Sequence, residues 1–202
     1  MAKYFILDCH DTGEGNRYRF RVLSPEVRDK RWVGGYFFSP EREQDDMQPP
    51  VEPILLEVKA EKQPPLRYYG EMFWVDIPLM SRRLVKALRE AGVDNLQTYA
   101  TKLTNLQEPN PPPEDHYLAV NIVGCIAAAD LKKSQTNPEV SDKMMSMDFH
   151  SLAIDPTKTR NALMFRLAED LSAVLVHERV RQYVESRGID TLTWYNPEQW
   201  AG

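Results

Sequence analysis

The chain is poor in the residues from which most reactive centres are built. Its 202 residues include two cysteines and four histidines. Cys9 and Cys125 sit in apolar runs without CxxC spacing, so they read as reduced core thiols and not as a disulfide framework. His10, His116, His150 and His177 form no i, i+4 pair, and none has a second Cys or His two to five residues away. That pattern excludes a helical zinc pair, and no metal or cofactor is expected. No GxGxxG, GxxxxGK[ST] or GxSxG occurs, so the usual phosphate cradles and the nucleophile elbow are missing too. No apolar run approaches the ~20 residues that a membrane span needs. The opening "MAKYFILDCHDTGEG" carries one Lys and a short apolar run broken by acids, unlike a secretory signal. A cytoplasmic protein is expected.

A large excess of one charge sign is also missing. The net charge of −5 weighs against broad nucleic-acid binding, which draws its affinity from Lys and Arg on phosphates, and it suits a basic partner. Hydrophobic residues at 42% and charged residues at 27% match an ordinary soluble globular protein, and 10% aromatics supply bulky core material. This length holds one sizeable core or two small ones.

Strand-like runs and turn signals alternate along the chain. "KYFILDC" reads as a buried strand. In "RYRFRVL", period two puts Arg17, Arg19 and Arg21 on one face and Tyr18, Phe20 and Val22 on the other. A nucleic-acid platform needs bases stacked on aromatics beside the cations, on one surface, so the stripe reads as a solvated face over a packed one. "DTGEGN", with Gly13 and Gly15, fits a hairpin turn. "MFWVDI", "NLQTYATKL", "MDFHSLAID" and "ALMFRLA" read as further strands. "HYLAVNIVGCIAAADL" reads as a central strand with a helical end left open, while the prolines of "NLQEPNPPPED" demand an exposed loop.

Two stretches repeat one another. "LMSRRLVKALREAGVDNLQTY" and "VLVHERVRQYVESRGIDTLTWY" align at a constant spacing of 96 residues, which pairs Arg83 with Arg179, Gly92 with Gly188 and Tyr99 with Tyr195. Ser81 is a good N-cap for a helix with Leu84, Leu88 and Ala91 on one side. Gly92 then occupies the left-handed position after the helix, which places Leu88 and Val93 in Schellman contact. Val184, Gly188 and Ile189 stand at the same places in the second copy. The expected fold is α+β: a mixed, mostly antiparallel sheet covered by a few helices, with a duplicated strand–helix–strand unit. One domain is expected over residues 1–202, with a β-rich N-terminal portion to residue 66 and a second portion over 67–202.

Candidate chemistry is thin. "DCHD" offers Cys, His and Asp, but along a continuing strand Cys9 and Asp11 point one way and His10 the other. The second place to look is the acidic loop "SPEREQDDMQPPVEP". Its Glu41, Glu43, Asp45 and Asp46 are the candidate contacts for a basic partner, since charged loops speed encounter and set specificity. The residues alone leave a second reading open: a small enzyme or ligand-binding protein whose site draws on His10, His116, His150, Asp115 and Asp148.

Residues 72–197 resemble a bacterial family, the immunity proteins of polymorphic toxin systems, family eleven. The likeness rests on a "[VL]-S-x-x-[LF]" helix start ending in Gly, a central "Y-x-x-[NV]" strand, and a terminal "[IL]-F-R" segment ending in Gly. These fall here on Met80–Leu84 with Gly92, on Tyr117–Asn121, and on Met164–Arg166 with Gly188. His177 stands where the family usually has Ser, and Trp194–Tyr195 where Gly and Phe are often found nearby. The resemblance implies a non-catalytic inhibitor that binds a cognate toxin domain inside the producing cell. The first 66 residues are expected to lie outside it.

Overall fold

The computed structural model describes residues 3–9, 18–24, 27, 32–42, 47–60, 70–74, 77–106, 113–137 and 147–200. Along the chain run β1 (Tyr4–Cys9), β2 (Tyr18–Val22), β3 (Ile54–Ala60), β4 (Met72–Trp74), β5 (Pro78–Ser81), α1 (Arg82–Glu90), β6 (Leu96–Asn105) and β7 (Tyr117–Ile122). Then come β8 (Cys125–Ile126), β9 (Gln135–Thr136), β10 (Phe149–Ser151), β11 (Met164–Leu167), β12 (Val174–His177), α2 (Glu178–Ser186), β13 (Leu192–Tyr195) and a 3₁₀ turn, Pro197–Gln199. The fold is α+β with mostly antiparallel pairing, as expected. Among the described residues three sheets result, ordered β2-β3-β6-β7-β5-β4, β13-β1-β12-β11-β8 and β10-β9.

The repeat is larger than its sequence signal. The four strands β6-β7-β5-β4 with α1 and the four strands β13-β1-β12-β11 with α2 are one unit built twice. In each, a central strand runs antiparallel to both neighbours. Registers agree residue for residue: Leu79–Ala119–Tyr99 form one rung, and Leu175–Ile6–Tyr195 form its counterpart. Single hydrogen bonds repeat as well. The Arg82 amide donates to the His116 carbonyl at 2.9 Å, and the Glu178 amide to that of Lys3 at 2.8 Å. The Tyr117 hydroxyl donates to the Gly70 carbonyl at 2.7 Å, and the Tyr4 hydroxyl to that of Ala162 at 2.9 Å.

The units also grip one another reciprocally. The Thr191 hydroxyl accepts from the Glu71 amide at 3.1 Å, and the equivalent Asn95 donates to the Met164 carbonyl at 3.0 Å. Arg83 lies over Gly188 and Arg179 over Gly92, each guanidinium 3.4 Å from where a Cβ would stand. Helices of nine residues are too short to persist alone. What stabilises them is burial of Leu84, Val85, Ala87 and Leu88 on α1 and of Val180 and Val184 on α2. These side chains join Leu7, Met80, Val120, Ile122, Val174 and Val176 in a core shared by both sheets. Trp32 and Phe38 cover the other face of the six-stranded sheet, and Phe149 and Leu152 that of the five-stranded one.

Both helices end in the left-handed glycine expected, with both Schellman bonds at α1 and the Gly188 amide donating to the Glu185 carbonyl at 2.9 Å at α2. Gly92 (φ +99) and Gly188 (φ +71) are left-handed. The Gly92 amide reaches Arg89 and the Val93 amide reaches Leu88, the two bonds of a Schellman ending. The starts differ. Ser81 Oγ accepts from the Leu84 amide at 2.9 Å, whereas His177 Nδ1 accepts from the Arg179 amide at 3.1 Å.

An accepting Nδ1 must be unprotonated, and burial, with Arg179 adding to it, holds the His177 imidazole below its ordinary range. A group whose folded value is lowered contributes stability that is complete above its unfolded pKa of ~6.5 and is lost as pH falls through the folded value. Wild type should therefore lose stability relative to His177→Ser, which keeps a cap that does not titrate, as pH falls below about 6.5. His177→Ala should cost about 1 kcal/mol at neutral pH. Parallel pH profiles for wild type and the serine variant in urea unfolding would refute the cap.

Several expectations need correction. Cys125 is exposed, not a core thiol, because β8 is a two-residue edge strand; its thiol lies 3.4 Å from the Gly34 carbonyl. The alanines after it form no helix: Gly124 (φ +97) breaks the run, and Ala128 and Ala129 pack under the five-stranded sheet. The expected strand over 147–155 is only Phe149–Ser151. Strand β3, which pairs parallel to β6, was not anticipated between its flanking prolines. The arginine stripe behaves as read, with Arg19 and Arg21 exposed and Val22 buried; Gly13, Gly15 and Arg17 lie outside the described residues.

Candidate protein-binding surface

The most connected polar cluster starts from one buried carboxylate. Glu71, 2% exposed, precedes β4 beside the start of α1. Its Oε2 accepts from the Ser81 hydroxyl and its Oε1 from Arg83 Nη1 at 3.0 Å. Arg83 Nη2 in turn donates to the carbonyls of Arg187 (2.7 Å) and Gly188 (3.0 Å), which α2 leaves without helical partners. A cleft of about 380 Å³ opens here, lined by Glu71, Ser81, Arg82, Arg83, Glu114, His116 and Tyr117. Its chemistry is structural. The Ser81 oxygen accepts from the Leu84 amide while its hydroxyl donates to Glu71, so both groups hold the ends of helices.

Among the described residues, the histidines and acids of the alternative reading fall into two separate places. His116 is exposed at the cleft beside the six-stranded sheet, with Asp115 exposed next to it. His150 is exposed on β10, whose Phe149 packs in the core on the far side of the five-stranded sheet. Asp148 accepts from Asn137 at 3.3 Å. His10 and Asp11 lie outside the described residues. Among the described residues no group of three His, Cys, Asp or Glu could hold a metal ion. Desolvation pushes both thiols up, at Cys9 with help from Asp8 and at Cys125, an exposed residue, because its sulfur packs against Gly34 and Gly35; this is the reverse of an activated nucleophile. Arg166, 1% exposed, is the deepest charge among the described residues; burial pushes its guanidinium down to about 10, and it lies over the Trp74 ring.

The acidic loop has a fastened base. The Ser39 amide donates to the Met47 carbonyl at 2.9 Å, and Gln48 Nε2 donates to the carbonyls of Pro40 and Arg42. Glu41 is exposed, and its amide donates to Ser39 Oγ at 3.3 Å. Glu43, Asp45 and Asp46 lie outside the described residues. Immediately before this base the segment Gly34–Phe38 crosses the sheet, held by two amide side chains opposed across β6 and β7. Gln97 bonds both the amide (2.9 Å) and the carbonyl (2.8 Å) of Phe38. Asn121, fully buried, donates to the Tyr36 carbonyl at 2.7 Å and to Gln97 Oε1 at 3.0 Å. Period two in β6 and β7 puts both amides on the face that carries Tyr99 and Ala119. The sequence reading saw Asn121 only as part of a strand motif. A polar residue inside that apolar run was the available signal.

No helix among the described residues is long and apolar enough to cross a membrane. A family model described as "Immunity protein family (Imm11)" matches residues 3–198. The match starts one residue before β1, so the N-terminal portion, expected to lie outside the resemblance, belongs to it. The architecture makes this necessary, since β1 is the central strand of the second unit. No curated protein matches the chain.

Proposed function

The chain belongs to the Imm11 immunity protein family, and we propose that it protects its cell by binding a cognate toxin domain directly. The observation that carries this reading is the family match over residues 3–198, nearly the whole chain. In this reading the protein acts in the bacterial cytoplasm, without catalysis and without a cofactor. It occludes the toxin's active site or the surface that meets the toxin's substrate. Co-expression with the toxin domain encoded by the adjacent gene should restore growth, and the two proteins should co-purify. Rescue with the toxin covalently altered and no complex formed would instead support an enzyme.

The acidic loop is one part of the contact. A standard interface buries about 800 Å² per partner, more than a few loop residues supply. Loop charges therefore act mainly on encounter, as rim charges do. Neutralising Glu41, Glu43, Asp45 and Asp46 together should slow association with a basic toxin domain about tenfold at low salt and change dissociation less. Surface-immobilised kinetics at two ionic strengths provide the measurement. Coincident association rates at both salts would remove the loop from the interface.

A further inference from the structure

We propose that Tyr36 and Phe37 form the aromatic anchor of the interface, a rigid ridge that seats on a Lys- or Arg-bearing surface of the toxin domain. The inference rests on the toxin-binding reading and assigns the centre of the contact that the acidic loop flanks.

Exposure comes first. Tyr36 and Phe37 are 52% and 54% exposed, whereas Trp32 and Phe38 on the same segment are 0% and 1% exposed. Single exposed apolar side chains are ordinary, but two consecutive aromatics on a fixed backbone are not. Each ring offers roughly 150–250 Å² for burial. With about half of each residue already covered, the pair could supply about a quarter of one partner's share of a standard interface.

Fixation comes second. A segment needed only to cover the core would require Trp32 and Phe38, and apolar neighbours would suffice beneath it. Instead the sheet places Gln97 and Asn121 there, and their amides bond the backbone of Tyr36 and Phe38 at three points, of 2.7 to 2.9 Å, and one another at 3.0 Å. The Gly124 amide adds a bond to the Gly35 carbonyl at 2.7 Å. At Gly35 (φ +67) a Cβ would stand 2.7 Å from Cys125 Sγ and 3.1 Å from the Gly124 backbone carbon, so the chain closes tightly before the ridge. Aromatic side chains on a preorganised backbone lose little conformational freedom on binding, which is what interface hot spots require.

Charge identifies the partner. Residues 41–46 carry four acids and one arginine, net −3, and the base of this loop is tied off directly after the ridge. Cations drawn to the loop arrive beside two aromatic faces, which attract Arg and Lys through the ring quadrupole. An acidic or neutral surface would gain nothing from this juxtaposition.

The test uses the full chain and the toxin domain encoded by the adjacent gene, measured by surface kinetics and by growth rescue. Tyr36→Ala/Phe37→Ala should raise the dissociation rate about 100-fold or more and change association less than about threefold. This is the opposite split from the loop variant. Because both rings are exposed, melting should stay near that of wild type, and Phe37→Trp should retain tight binding. Asn121→Ala leaves both rings in the chain but releases their backbone, and should raise dissociation about tenfold while circular dichroism is unchanged. If wild type binds and protects while the double variant dissociates at the wild-type rate, the ridge is not the anchor and the toxin-binding reading stands. If wild type neither binds nor protects, that reading falls and the ridge falls with it.

Discussion

Replacing Gly92 by valine is expected to cost about 3 kcal/mol of stability, and Gly188 by valine about 2 kcal/mol. An L-residue in the left-handed region is disfavoured by roughly 1–2 kcal/mol, and a β-branched one by more. Gly92 at φ +99 sits further from the left-handed well near +57° than Gly188 at φ +71, so its backbone term is larger. Surroundings add to the difference. A Cβ at position 92 would meet Leu163 Cδ1 at 3.2 Å, a half-buried side chain packed against the core, as well as Arg179 at 3.4 Å. At position 188 it would meet only the Arg83 guanidinium, which can swing into solvent. Urea unfolding of the two single variants measures both values. Unfolding midpoints equal to wild type for both would refute the left-handed endings and, with them, the equivalence of the two units. A larger loss at Gly188 would refute the argument from Leu163.

That the two glycines are equivalent was legible, and the reason is local. A helix ending needs one residue of positive φ and an apolar pair around it, all within six positions of one another. The 96-residue spacing therefore carried over into three dimensions, from Leu79 and Leu175 to Tyr99 and Tyr195. The central strands were not legible as equivalents. β7 follows its unit directly along the chain, whereas β1 comes from the opposite end, so Ala119 and Ile6 hold equivalent rungs without sharing the spacing. A search at one fixed spacing could not pair them. The flanking strands β4 and β11 also depart from it, with Met72 and Met164 pairing to the equivalent Met80 and Val176. Pairing across a sheet is a tertiary property, and only its local ends leave a periodic trace.

The candidate surface divides in the same way. The acidic loop could be read because charge and proline density are compositional. The ridge could not, because "GGYFFS" gives no sign of which aromatics turn inward. Phe38 is buried and Phe37 exposed because Gln97 and Asn121, about sixty and eighty-five residues away, seize the backbone between them.

Glu71→Ala is expected to destabilise by about 3 kcal/mol, and its comparison with Leu163 shows why. The two residues occupy equivalent places, each giving its carbonyl to the first residue of a helix start: Ser81 at 2.7 Å and His177 at 2.9 Å. Unit two uses an apolar side chain there, resting against Gly92. Unit one uses a carboxylate, which joins the Ser81 cap of α1 to Arg83 and so to the last carbonyls of α2. Charge-assisted bonds contribute roughly 1.5–3 kcal/mol each, and truncation also leaves a cavity at a 2% exposed site. Arg83 keeps about half its side chain in water, so its unpaired charge adds little to the loss. Glu71→Leu fills the cavity and copies unit two, and should recover about 1–2 kcal/mol of the loss. Glu71→Gln should cost about 1–2 kcal/mol, since an amide oxygen can serve only one of the two donors. In a double-mutant cycle with Arg83→Gln, a coupling of about 1 kcal/mol or more is expected, because the two groups act through one network. Additive losses would mean that Glu71 serves the Ser81 cap alone and that Arg83 holds α2 without it.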